Sequence, residues 1–322
     1  MPESPAVAEP LPGPPAQGAA LLLLDVGGTD IKAAVASGGG WELGPVLRVP
    51  VQPAAAAGDP DGAALVAQLE RVAGSLLGER SARAAALLVP GVVDVERRRA
   101  VFASNLGLRD AALPDALQAR LGVPVAWGHD VGSAAEAEIA EGVGTAGAAC
   151  TLVVVIGTGI ASTAFVGGRR IDVPGAGELG HVPVPGGSDC ACGAVGCLET
   201  VASAAAIARA YEKSTGVPVD GAAEVLRLAL TGDPAARAAW AAAVEALAFA
   251  LHWAVGLLGV DRVVVGGGLS GAGEHLLRPL RLALAARLSF MPVPTLVAAR
   301  LGGDAGLRGA RRLALAALGE EP

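Results

Sequence analysis

Short apolar runs alternate along the chain with clusters of glycine and small polar residues. Four leucines at 21–24 stop at Asp25-Val26-Gly27-Gly28-Thr29, and apolar character resumes over 31–36, which predicts two strands joined by a glycine turn. The unit recurs: the apolar run 152–156 ends at Gly157-Thr158-Gly159 and resumes over 161–166. Buried strands are expected at 84–89, which stops at Pro90-Gly91, at 123–127, and at 261–265, which runs into Gly266-Gly267-Gly268. Helical spacing predicts helices over 63–77 and 115–121, from His129-Asp130 to about 141, over 202–213, 222–229 and 234–256, from near Gly273, and over 305–318. Strands interleaved with helices give an α/β class. The repeated strand–turn–strand unit predicts two lobes built alike, each offering a glycine turn to a shared cleft.

Composition narrows the picture. At 322 residues and 52% hydrophobic content the chain is long enough for two cores. Residues 1–19, rich in Pro, Ala and Glu without apolar periodicity, read as a disordered tail. That tail lacks the basic start and apolar centre of a signal peptide, so a reducing cytoplasm is the expected compartment. The apolar runs are broken by Gly, Pro or charge, and no membrane span is expected. A formal charge of −7 without a basic stripe argues against a nucleic-acid partner.

The densest chemistry lies between 178 and 199. His181, Cys190, Cys192 and Cys197 form the Cys₃His set that zinc takes in closed tetrahedral sites, and Gly193 and Gly196 let the chain turn sharply between the sulfurs. Glu178 and Glu199 flank these ligands, so a pinned loop would hold two carboxylates toward a substrate; a solitary zinc knuckle is the plainer alternative. Asp25 at a strand end is a candidate for Mg²⁺, directly or through water, beside backbone N–H groups that suit phosphate oxygens. Gly157, Thr158 and Gly159 offer the same inventory, and Gly266, Gly267 and Gly268 leave bare backbone for a nucleotide's ring or ribose, in a spacing that is not the dinucleotide fingerprint. Taken singly, each glycine run is also an ordinary turn. Asp130, at the start of a helix, is placed either to accept a proton from a substrate hydroxyl or to cap that helix. Cys150 reads as a small buried hydrophobe, and His252 and His275 as helix residues without a ligand role.

Together, Asp25-Val-Gly-Gly-Thr29, Gly157-Thr158-Gly159, Glu178-Leu-Gly-His181 with Cys190-x-Cys192-Gly-x-x-Gly-Cys197-x-Glu199, and Gly266-Gly267-Gly268 resemble the ROK family of repressors and sugar kinases. The resemblance implies an actin-like ATPase (ribonuclease H-like) fold, with an N-terminal α/β lobe over 20–128, a C-terminal lobe carrying the zinc loop over 129–303, and a last helix, 304–319, returning to the first lobe. It makes Asp130 the general base toward a hexose hydroxyl. Asn105, His129, Glu178, His181 and Glu199 become sugar contacts, with His181 also a zinc ligand through its other ring nitrogen. The turns at 27–28 and 157–159 become phosphate loops, and 266–268 the adenosine site. Structural Zn²⁺, Mg²⁺ with ATP, and a homodimer or homotetramer are implied in the same way.

Glucokinases of that family usually carry Asn-Asp where this chain has His129-Asp130, so an amide becomes an imidazole and hydroxyl selection is expected to differ. The first expectation is therefore an ATP-dependent kinase making glucose 6-phosphate, with fructose, mannose, allose or N-acetylmannosamine as alternative acceptors. A sugar-responsive regulator of the same family would need an N-terminal helix-turn-helix, which residues 1–19 are too short and proline-rich to supply. A glycoside hydrolase using Asp130 and Glu178 would leave the repeated glycine turns without a purpose.

Overall fold

The computed structural model describes residues 20–52, 59–144, 147–173 and 175–321; the expected tail at 1–19 lies outside them. The chain opens with β1 (Ala20–Val26), β2 (Asp30–Ser37), β3 (Glu42–Leu43) and β4 (Leu47–Pro50), followed by α1 (Ala63–Leu77) and β5 (Ala82–Val89). Three short strands, β6 (Val92–Asp94), β7 (Arg99–Ala103) and β8 (Leu108–Ala111), form a small sheet of their own before α2 (Leu113–Leu121), β9 (Val125–His129) and α3 (Asp130–Ala137). The first large sheet runs β3-β2-β1-β5-β9, with β1 and β2 antiparallel and β1, β5 and β9 parallel.

The second half repeats this plan. β10 (Cys150–Ile156), β11 (Ile160–Val166) and β12 (Arg169–Arg170) lead into the cysteine loop, then α4 (Glu199–Ala202), α5 (Ala204–Thr215), α6 (Gly221–Thr231) and α7 (Pro234–Leu258). β13 (Arg262–Gly266), α8 (Glu274–Ala285), β14 (Thr295–Ala298) and α9 (Ala305–Ala317) complete the chain. The second sheet runs β12-β11-β10-β13-β14, again antiparallel at the hairpin and parallel beyond it.

The leucine run of β1 is continuous because both faces of its sheet are covered. Leu22 and Leu24 pack with Leu65 and Leu69 of α1, whereas Leu21 and Leu23 pack with Leu307, Ala310 and Leu315 of α9. Each leucine so buried contributes about 2 kcal/mol. In the second sheet Leu152, Val154 and Ile156 face the helices α5 to α8, and Val153 faces Ala135 of α3.

The premise that Gly, Pro or charge keeps every apolar run short does not hold for one helix. α7 spans 25 residues, its most apolar stretch has a mean hydropathy of 1.7, and by length and composition it is able to cross a membrane. Its apolar character has another cause: Trp240, Val244, Leu247 and Leu251 are core residues of the second lobe. The helix is cut from its neighbour by Asp233, whose Oδ1 accepts the Ala236 N–H at 2.9 Å, and by Gly259 in the left-handed region.

The chain passes between the two sheets twice, and the crossings are tied together. After α3 the helix widens into a π-turn, Glu138–Gly142, instead of continuing as α-helix to 141. Buried Glu138 accepts the N–H groups of Arg300 (2.7 Å) and Leu301 (2.9 Å), in the segment leading to α9. Gly142 is the residue that leaves room for that carboxylate. Glu141 takes Arg311 at 2.9 Å and Arg308 at 3.0 Å, both from α9.

Candidate active site

The carboxyl ends of β1, β5 and β9 lie side by side, with Asp25 opposite Leu88 and Leu88 opposite Gly128. This is the edge at which open α/β sheets bind ligands. Asp25 is buried there, 3.8 Å from Lys32 Nζ, and its carboxylate abuts Gly306 in the first turn of α9, where any side chain would collide with it. Burial pushes the Asp25 carboxyl up to about 6; Lys32 opposes the shift, the nearby Asp130 carboxylate adds to it, and Arg48 opposes it. The turn closes by a Gly27 N–H bond to the Asp30 carbonyl at 2.8 Å. Asn105 lies against this turn, since a methyl group on Gly28 would sit 3.2 Å from its Nδ2.

His129 ends β9 and Asp130 opens α3. The sequence leaves Asp130 as the alternative helix cap; the structure gives that role to His129, because β9 runs two residues further than expected. His129 Nδ1 accepts the Gly132 N–H at 3.1 Å. Asp130 Oδ1 accepts the Val131 N–H at 2.7 Å, which leaves Oδ2 for a ligand. Arg170 lies over the first turn of α3, where Gly132 has no side chain to obstruct it, and pairs with Glu136 at 3.1 Å.

At the facing sheet, the turn after β10 and the turn after β13 touch. Gly267, at φ 77°, sits directly against the Ile156 backbone, next to Gly157. The 177–181 segment is laid along β11: the Ser162 N–H donates to the Gly177 carbonyl at 2.8 Å, and Gly180 rests on the Ile160 carbonyl without room for a side chain. Glu178 and His181 are thereby carried beside the second glycine turn. Glu199, the first residue of α4, reaches the same place, with Oε2 2.9 Å from where a methyl on Gly159 would be.

The cysteine loop folds as its glycines require, with Gly193 at φ 91° and Gly196 at φ 97°. A ring nitrogen of His181 and the sulfurs of Cys190, Cys192 and Cys197 all lie within 4.8 Å of one another. Cys190 Sγ is 3.7 Å from His181 Nδ1, and the Cys192 and Cys197 sulfurs are 3.6 Å apart. A zinc tetrahedron with ordinary bond lengths has edges of about 3.6–3.8 Å, so the set fits a metal ion of that size. The other ring nitrogen, His181 Nε2, is 3.8 Å from Glu178 Oε2, and Glu199 Oε1 is 3.8 Å from Nδ1.

Two clusters of the expected residues are thus assembled: Asp25, Gly27, Gly28, Thr29, Asn105, His129 and Asp130 at the first edge, and Gly157, Thr158, Gly159, Glu178, His181, Glu199 and Gly266–268 at the second. A cavity of about 1250 Å³ joins the two halves, walled by Gly91–Arg97, His129 and Gly132 on one side and by β11, Glu178 and Trp253 on the other. Of the expected residues only His129 and Glu178 line it. Sequence reasoning missed Lys32, Arg48, Arg170 and Glu138. A charge inside the apolar strand 30–37 and a carboxylate inside an alanine-rich helix were the available signals.

Known proteins place this arrangement. A profile of the ROK family matches residues 22–317. The chain is 32% identical over 314 residues to a glucokinase of Streptomyces coelicolor, covering 90% of this chain and 96% of that protein. It is 34% identical over 250 residues to a kanosamine kinase of Amycolatopsis mediterranei, covering 74% of this chain and 79% of that one. Among solved structures, a ROK family glucokinase of Streptomyces griseus in complex with glucose and AMPPNP superimposes with a TM-score of 0.77 at 28% identity, over 92% of this chain and 99% of that one.

Proposed function

The chain belongs to the ROK family, with the actin-like ATPase fold of its sugar kinases, and from that premise we propose that it is an ATP-dependent hexose kinase whose first substrate is glucose. The observation that carries this reading is the position of Asp130. A carboxylate with one free oxygen stands at the strand edge that also holds the first glycine turn, next in the chain to His129, which lines the cavity opposite Glu178.

In this reading Glu178, Glu199, His181, Asn105 and His129 hold the sugar hydroxyls. Asp130 Oδ2 takes the proton of the attacking hydroxyl, whose oxygen bonds to the γ-phosphorus as the bond to the β-phosphate oxygen breaks and ADP leaves. Backbone N–H groups of Gly28, Thr29, Thr158 and Gly159 take the phosphate oxygens, in turns closed by the N–H groups of Gly27 and Gly157, with Lys32 and Arg48 adding positive charge at the first turn. Gly266, Gly267 and Gly268 leave flat backbone for the adenosine. His181 and the thiolates of Cys190, Cys192 and Cys197 would hold zinc in the cysteine loop, and its charge would fix the loop and the orientation of His181. Mg²⁺ accompanies ATP and offsets phosphate charge, with Asp25 the residue placed to hold it. A homodimer or homotetramer and a cytoplasmic location belong to the same proposal.

The test is a panel of glucose, mannose, fructose, allose, N-acetylmannosamine and amino sugars, each with ATP and with polyphosphate. The kanosamine kinase relative is the reason amino sugars are included. Formation of hexose 6-phosphate with ATP is expected, and the purified protein should contain one zinc per chain. Failure of every acceptor with every donor would remove the kinase reading, and zinc-free protein with full activity would leave the loop held by packing alone.

A further inference from the structure

We infer that His129 is the specificity-determining donor of the sugar site, fixed in one tautomer by the helix that it caps. Its Nδ1 accepts the Gly132 N–H at 3.1 Å, so this nitrogen carries no proton, and in the neutral ring the proton sits on Nε2. Nε2 has no hydrogen-bond partner among the described residues, and the ring lines the cavity that Glu178 faces from the other side. The ring is about one-quarter exposed, enough to meet a ligand while its rotation is blocked by the cap.

The chemistry around it shows why a fixed donor matters. Asp130, Glu178 and Glu199 accept hydrogen bonds and, when ionised, cannot donate them. A sugar hydroxyl that donates to one of these carboxylates keeps lone pairs that need a donor, and His129 Nε2–H supplies one at a fixed point. Reach is set by covalent structure. An asparagine here would also cap α3 through its carbonyl oxygen, but its amide nitrogen would stand one bond closer to the backbone than Nε2 does. The ring therefore combines the cap of a short polar side chain with the longer reach of a glutamine amide. A hexose whose hydroxyl is inverted at the position meeting Nε2 loses that bond and leaves a desolvated N–H unpaired.

The cap is a property of the fold alone; the donor role rests on the hexose-kinase reading. Three variants separate them. His129→Asn retains the cap and withdraws the donor, His129→Gln retains the reach and weakens the cap, and His129→Ala removes both. In sugar-free protein the thermal midpoint of the Asn variant should stay within about 1 °C of the parent, while the Gln and Ala variants fall by about 2–4 °C. With the best hexose and ATP, KM should rise about tenfold in the Asn and Ala variants, with partial recovery in the Gln variant. The ratio of kcat/KM between that hexose and its epimers should narrow in the Asn and Ala variants.

An Asn variant with the parent's KM and epimer ratio would overturn the donor role and leave His129 a cap. Unchanged midpoints in the Gln and Ala variants would overturn the cap, and with it the fixed tautomer. A parent protein that phosphorylates no hexose would instead remove the kinase reading and the donor role together, and the midpoints would still report on the cap.

Discussion

The strand edge around Asp25 and the crossing around Glu138 are two regions that each bury a carboxylate, and they treat it in opposite ways. Glu138 receives two backbone N–H groups at 2.7 and 2.9 Å and is satisfied where it stands. Asp25 is also buried, yet its cationic partner is 3.8 Å away and burial raises its carboxyl to about 6. A buried charge that finds its partners within the fold is part of the architecture. One held short of partners is poised for something the fold does not contain, and it costs stability until that arrives. The same division separates Asp130, with one oxygen free at the strand edge, from Glu141, which is spent on arginines of α9.

The division is tested most severely at Asp130. Replacing it with alanine should lower kcat by about 10³-fold, equivalent to about 4 kcal/mol in the barrier, while the affinity for ATP and the thermal midpoint stay near those of the parent. Retained turnover would remove Asp130 from the mechanism, and collapse of the fold would move it to the architectural class. Glu138→Ala should do the reverse. It strands the N–H groups of Arg300 and Leu301 and opens a void beside Gly142, so unfolding free energy should drop by about 3–4 kcal/mol, read by urea titration. Sugar and ATP affinities measured well below the unfolding midpoint should change little. A variant as stable as the parent would show the crossing to be held by α9 packing instead.

What could be seen in the sequence follows the same line between local and distant causes. The hairpins around Asp25-Val-Gly-Gly-Thr29 and Gly157-Thr158-Gly159 were legible because each is a contiguous apolar run, a turn and a second run. The cysteine loop was legible because its ligand spacing is local. The short strands β3, β4, β6 to β8, β12 and β14 were not: they are brief or partly exposed, and their pairing partners set them. α7 was legible as a helix, but the length of its apolar run was not, because the breaks by Gly, Pro or charge expected throughout the chain leave this helix long and apolar enough to pass for a span. The cap of α3 was ambiguous because two residues decide where β9 ends, and periodicity does not locate an element's boundary that finely. Lys32 and Glu138 stand out locally only as charges in apolar surroundings, and what each one pairs with is set by the fold.

The smallest effect carries the most direct information about the Asp25 edge, because its sign is unusual. The Asp25 carboxyl is near 3.8 in an unfolded chain and raised to about 6 in the folded one, chiefly by burial. Between about pH 4 and 6 the folded protein therefore holds a proton that the unfolded chain has released. Stability is favoured below this window, falls as pH rises through it, and bears the full penalty above pH 6. That penalty is at most about 3 kcal/mol for a shift of this size. Asp25→Asn removes it, since the amide is never charged. At pH 8 the variant should be more stable than the parent by up to that amount, at pH 4 the two should converge, and turnover should be impaired at both. Unfolding curves for both proteins from pH 4 to 8 read the difference directly. An Asn variant less stable than the parent at pH 8 would mean that Lys32 and Arg48 already satisfy the carboxylate, and that the Asp25 edge is built on the same terms as the crossing.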